Sequence, residues 1–411
     1  MREISVRFTM RINVLLGAAL LTALLQFALH SSVIRSDIHI VGTLDRFRMT
    51  PESAPSSNAT PVVDSRGGPR RPTTAPEERC AINLFGLPRA FQSLVLPSLL
   101  QNVIRPNIQH NCDYFVHYYN LTEEPAGRSG NGGSLDPSEI LSLTQHVQQE
   151  ALHAGHDRLP AVVFKADQEA DFWTQYATLI EKTRTVKDSE GKYLYFPWKA
   201  RTYTHPTTVD NILKMWHSIQ SSWNLMDQYA VEYTIAYTRV AMLRSDVLYV
   251  TPIDIYRIDE HSAVDADNRY AVVPAFGRHP VSDRIMYGPY RAVQIWAAER
   301  FDRLESHVKS IYKRKPGWGM HSERFLNHTI FPAIRQAGFA IHEHAQMCFL
   351  RARVDESVWV SDCDGTETVA APTVATRIGN NTKGLVEGLI GRRCGKIVKF
   401  THSVRSLDCA S

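Results

Sequence analysis

The sequence predicts an α/β fold, a mostly parallel sheet with helices on both faces. Strand-like and helix-like segments alternate from Cys80 onward. Several strand candidates read as continuous apolar runs, the pattern of strands covered on both sides. The stretch 207–231 repeats apolar residues at steps of three and four, as a helix lying on a core does.

In order, "CAINLFG" from Cys80 is the first strand, "LPR" a turn, and "AFQSLVLPSLLQNVI" a helix interrupted by Pro97. "CDYFVHYYN" is a second strand, dense in aromatic and β-branched residues, and "LPAVVFKA" (159–166) a third. Between them "EEPAGRSGNGGSLDPSE" is a loop by composition. Helix 207–231 places Val209, Ile212, Trp216, Ile219, Trp223, Met226 and Ala230 on one stripe, so its tryptophans read as core packing. It feeds the strand Tyr237–Leu243. Then come a strand at 270–276, the segment "GRHPVSDRIMYG", and one long helix, "PYRAVQIWAAERFDRLESHVKSIY". The segment "GFAIHEHAQMCFLRARVDESVWVSDC" reads as two strands about a turn.

The 411 residues are 44% hydrophobic and 21% charged, enough apolar material for a substantial core. A net charge of +4 without basic clusters gives no footprint for nucleic acid. Residues 12–34 carry no formal charge and would rise roughly 34 Å as a helix, enough for a bilayer core. Arg2, Arg7 and Arg11 precede them, so segment 1–11 is expected in the cytoplasm and the remainder in the lumen. A cleaved signal peptide is the competing reading, but Ala28-Leu29-His30 makes a poor cleavage site. Residues 35–78, rich in Pro, Ser, Thr and Gly, read as a disordered stem. All six cysteines lie beyond the anchor and are expected in disulfides, with the pairing open. Sequons at Asn58, Asn120, Asn327 and Asn380 agree with a luminal location. The expected layout is tail 1–11, anchor 12–34, stem 35–78, main domain 79–363 and C-terminal extension 364–411, a single-pass type II membrane protein of the Golgi or ER.

Arg244 and Asp246 break the apolar run of "YTRVAMLRSDVLYVTPIDI". Ligands of open α/β sheets bind beyond the carboxyl ends of strands. A carboxylate there suits Mn²⁺ or Mg²⁺, and an arginine suits phosphate oxygens. A simple ion pair at the strand end is the plainer reading. Two literal D-x-D triplets, Asp265–Asp267 and Asp362–Asp364, rank below Asp246 because such triplets arise by chance in acidic loops.

These segments, from "NLFGLPR" through "YTRVAMLRSDVLYVTPIDI", "VPAFGRHPVSDRIMYG" and "GMHSERFL" to "FLRARVDESVWVSDC", resemble the GT-A-type glycosyltransferases of the secretory pathway. They are most similar to single-anchor glycosyltransferase-like proteins in which Arg-x-Asp stands for D-x-D. The resemblance spans roughly residues 80–363. It implies a GT-A-like, Rossmann-related domain that moves a sugar from a nucleotide-sugar donor to a glycan, protein or lipid acceptor. Asp246, with a C-terminal histidine such as His344, would be the metal ligand. Arg89, Arg244, Asp246 and Arg284 would hold the donor, and Glu323 and Asp283 would carry catalysis.

Each residue also has a structural reading. Asp283 suits a helix N-cap, Glu323 a helix-start carboxylate, and Arg89 a solvated turn. His321 is a second base candidate. His342 and His344 share one strand face by their spacing of two. Because one carboxylate replaces two, a non-catalytic luminal protein that binds glycan or a partner is the alternative function.

Overall fold

The computed structural model describes residues 77–126, 132–258, 265, 267–345, 347–356 and 358. The expected tail, apolar span, extension and nearly all of the stem lie outside them. No helix among the described residues is long and apolar enough to cross a membrane.

Eleven strands are present among these residues: β1 (Glu77–Gly86), β2 (Asp113–Tyr119), β3 (Glu123–Glu124), β4 (Gly133–Ser134), β5 (Val162–Asp167), β6 (Ile235–Arg244), β7 (Val247–Tyr249), β8 (Tyr270–Pro274), β9 (Met286–Pro289), β10 (Ala340–His344) and β11 (Phe349–Arg351). Seven form one sheet in the order β10-β8-β9-β6-β1-β2-β5. Pairs β1–β2, β2–β5, β1–β6 and β8–β10 are parallel. Only β9 runs against its neighbours. The sheet is therefore mostly parallel, and its strand order reverses at β1, with β2 and β5 on one side and β6 on the other.

The apolar runs have a direct cause. Every residue of β2 is buried. Along β1, Cys80, Ile82 and Leu84 join one core while Ala81 and Phe85 join another on the opposite face. The helical segment 91–110 and helix Leu143–His153 cover the first face. The long helix Thr207–Tyr233 and helix Tyr290–Ala298 cover the second. Trp216 and Trp223 are fully buried, as the stripe implied. Truncating either to Ala would cost about 3–5 kcal/mol. Thr234, in the left-handed region at φ 56°, ends the long helix and turns the chain directly into β6.

The structure departs from the sequence reading at four places. β1 begins at Glu77 and takes two residues from the expected stem. The single long helix after β9 is two, Tyr290–Ala298 and Arg300–Arg314, with Glu299 between them near φ −94° and ψ 11°. The "MYG" that ends the segment before the expected helix, together with that helix's first residue, Pro289, is a short strand instead. It fits because Gly288 has φ +152° and a Cβ there would lie 2.5 Å from the Tyr270 carbonyl oxygen. The two strands expected about a turn near residue 346 do form, but in different sheets: β10 at the edge of the main sheet and β11 against β7.

A disulfide joins Cys80 in β1 to Cys112, one residue before β2. Cys348 is also disulfide-bonded.

Candidate functional site

The strand order reverses at β1, so the carboxyl ends of β1 and β6 border a crevice. Phe85 of β1 pairs with Arg244 of β6, which brings both strand ends to the same level. β1 stops at Gly86 and a turn closed by Arg89 N–H on the Leu87 carbonyl (2.8 Å) swings Arg89 back over the sheet edge. After β6, Ser245 is pinned to the Phe85 carbonyl through its N–H (3.0 Å) and its hydroxyl (3.1 Å). That anchor aims Asp246 toward β1.

The side chains meet there. Arg244 grips Asp246 with both prongs, Nε to Oδ1 and Nη2 to Oδ2, each 2.7 Å. Arg89 donates from Nη1 to the same Oδ2 at 2.5 Å. Its Nε and Nη2 hold Glu124 at 2.6 and 2.5 Å. The Asp246 side chain is only 2% exposed. Burial alone would raise its pKa, but the Arg244 and Arg89 charges outweigh it and bring it down to about 2. Arg353, itself buried, adds to that field.

This arrangement fits a divalent cation at Asp246 poorly. Both carboxylate oxygens already accept from guanidinium groups, and the nearest charges are positive. It suits an anion better, because a phosphate offers the guanidinium forks the same geometry as the carboxylates they now hold.

The other residues singled out in the sequence take separate positions. Asp283 sits in the loop between β8 and β9, not at a helix start; its charge adds to the upward shift of Arg244 and only partly offsets the burial that lowers Arg300 to about 9. Arg284, beside it, folds over Phe276 with its guanidinium 5.3 Å from the ring centre. Glu323 lies in the short helix Ser322–Phe325, its Oε2 3.2 Å from His321 Nδ1. His321 stacks on Tyr203 at 5.2 Å. His344 is at the end of β10, three strand places from β6, and its Nδ1 accepts from the Met347 N–H at 3.1 Å. The His342 and His344 rings lie 6.5 Å apart.

Of the D-x-D triplets, Asp265 is buried against Arg239 (3.0 Å) and accepts the Arg269 and Tyr270 N–H groups, capping the start of β8. Asp362–Asp364 lies outside the described residues. The structure thus brings together Arg89, Arg244 and Asp246, with Asp283 near. Glu124 and Arg353 complete the cluster; Arg353 lies in the "FLRARVDESVWVSDC" segment without standing out there, and Glu124 lies in a segment that reads only as a loop. A cavity lined by Arg278, Val281, Asn327, Phe331 and His342 lies beside β10 and includes none of the crevice residues.

No protein-family model matches the chain, and no curated protein matches it. Among solved structures, mouse xyloside xylosyltransferase 1 in its apo form is similar at a TM-score of 0.30 and 13% identity, over 66% of this chain and 88% of that one. So slight a likeness carries no weight, and the site stands on its own geometry. That geometry defines a class: an open α/β sheet with an arginine-rich crevice at the carboxyl ends of its central strands.

Proposed function

We propose that the chain is a glycosyltransferase that takes a nucleotide-sugar donor and passes the sugar to a glycan, protein or lipid acceptor. One observation carries this reading: Arg89 and Arg244, from the ends of adjacent central strands, share the buried Asp246 carboxylate in the crevice where such sheets bind ligands. In the resting state carboxylates occupy the guanidinium forks. A donor diphosphate, carrying more charge, displaces them and takes up Arg89 and Arg244.

Transfer breaks the bond between the anomeric carbon and the diphosphate oxygen and forms one to the acceptor hydroxyl oxygen. The electron pair of the broken bond leaves on the nucleoside diphosphate, where the two guanidinium groups offset the new charge. The acceptor proton passes to a carboxylate, Glu323 or Asp283. Residues 12–34 would anchor the enzyme as a type II protein with this domain in the Golgi or ER lumen.

The engagement of both Asp246 oxygens favours a second reading, a luminal protein that keeps the fold and binds without turning over. The full chain, purified in mild detergent, separates the two in a panel of nucleotide sugars with and without Mn²⁺. Turnover of one donor without added metal, cut by about 10²–10³ in Arg244→Ala while circular dichroism shows the variant still folded, is the expected result. Strict Mn²⁺ dependence would return the leaving-group role to an ion. Donor-induced stabilisation without turnover would leave the binding protein, and silence in both readouts would remove the diphosphate site.

A further inference from the structure

A second polar cluster sits on the same sheet edge, on the far side of β1. Phe85 pairs with Arg244 on one side and with His117 of β2 on the other, so the two clusters are on the order of 10 Å apart at the backbone. Asp167 ends β5, and His217 faces both from the long helix. His117 Nε2 lies 3.0 Å and His217 Nε2 2.7 Å from the same oxygen, Asp167 Oδ2. The three ligand atoms all lie within 4.8 Å of one another.

The outer nitrogens of both rings are held in place. His117 Nδ1 is 2.8 Å from Ser218 Oγ, and Ser218 Oγ also accepts the Gly86 N–H at 3.0 Å and faces the His117 carbonyl at 3.4 Å. His217 Nδ1 is 3.1 Å from the Tyr176 hydroxyl. Hydroxyl partners can donate or accept, so either tautomer of each ring is supported. With Nδ1–H donated outward to Ser218 and Tyr176, both Nε2 lone pairs face Asp167 Oδ2, and an ion held between the three atoms would replace the present Nε2–H to carboxylate hydrogen bonds. Metal-binding histidines are oriented by such outer partners.

We infer that His117, Asp167 and His217 bind one divalent transition-metal ion of the Zn²⁺ or Co²⁺ class. Two imidazole nitrogens and one carboxylate oxygen are the ligand set such borderline ions take, and one that Mg²⁺ and Ca²⁺ do not prefer. His117 is wholly buried and His217 nearly so, while the Asp167 side chain is 15% exposed, so of the three it is Asp167 that meets solvent. Two neighbours compete and must yield: Ser221 Oγ, 3.3 Å from His217 Nε2, and Lys165 Nζ, 3.5 Å from Asp167 Oδ1. The ion would tie β2, β5 and the long helix together at one point.

The test uses the full chain in mild detergent, without a polyhistidine tag, stripped with chelator and titrated with Co²⁺. The expected result is visible absorption that saturates at one Co²⁺ per chain and is displaced by one Zn²⁺. His217→Gln and Asp167→Asn should each weaken binding at least tenfold, and His153→Gln, an exposed histidine, should not. Because a buried substitution can fail to fold, X-ray absorption of the Zn²⁺-loaded wild type gives a second readout. Two imidazole nitrogens and an oxygen at about 2.0–2.2 Å support the site. No saturable Co²⁺ binding by the wild type, or a shell without two imidazoles, overturns it.

Discussion

Arg89 and Arg244 converge on one carboxylate oxygen, Oδ2 of Asp246, at 2.5 and 2.7 Å. Each comes from the end of a different central strand, so the oxygen links the two edges of the crevice. Two like charges so close are tolerable only with that anion between them. Whatever displaces Asp246 must carry at least equal negative charge.

The same carboxylate predicts how stability depends on pH. Its folded pKa, about 2, lies below the ordinary 3.8. A group lowered in this way stabilises the fold fully above its unfolded value. The contribution is lost as pH falls from near 3.8 through about 2. The gain is about 2 kcal/mol. In chemical denaturation from neutral pH down to pH 2, wild type should lose about that much more stability than Asp246→Asn. Parallel acid profiles would show that the pairing contributes nothing net.

Glu323→Gln separates its two readings. As the base, its loss should lower kcat by about 10²–10⁴ and leave donor affinity unchanged. A kcat within twofold of wild type would leave it a carboxylate at the start of a helix, paired with His321.

The loop ahead of Glu323 depends on a glycine. Gly319 has φ +31°, and a Cβ there would lie 2.2 Å from the Tyr195 carbonyl oxygen, backbone that cannot swing aside. Met320 N–H donates to that same oxygen at 2.7 Å. Gly319→Ala should lower stability by about 2 kcal/mol or more and reduce any activity that needs Glu323 in place. A differential scan and a kinetic assay on one sample would read both.

The Cys80–Cys112 bridge spans 32 residues of chain. Closing a loop of that length in the unfolded state stabilises the fold by about 4 kcal/mol in the chain-entropy account. The double variant Cys80→Ala/Cys112→Ala should melt well below wild type. An unchanged melting temperature would mean that the flanking strands β1 and β2 are held by pairing alone.

The sheet was legible because its strands are buried on both faces, and burial writes long apolar runs into "CAINLFG" and "DYFVHYY". The long helix was legible from its stripe. β9 was not: four residues containing Gly and Pro look like a turn, and only the neighbouring β8 explains them. Arg244 and Asp246 stood out because charge interrupts an apolar strand. Their grip on Arg89 could not be read, since it depends on the pairing of β1 with β6. The His117, Asp167 and His217 cluster was hidden for the same reason. One member sits among strand aromatics, one ends a strand, one lies beside Trp216 on a helix, and only the packing of all three elements gives them a common centre.

The reversed direction of β9 has a further consequence. The chain leaves β8 at the carboxyl edge of the sheet and must return to that same edge to begin β9, so loop 275–285 lies at the carboxyl edge, and the charge of its Asp283 acts on Arg244. Its length can change without shifting the register of any strand. Related chains could therefore alter the reach of this loop and the charge it sets beside Arg244, while the framework beneath stays as it is.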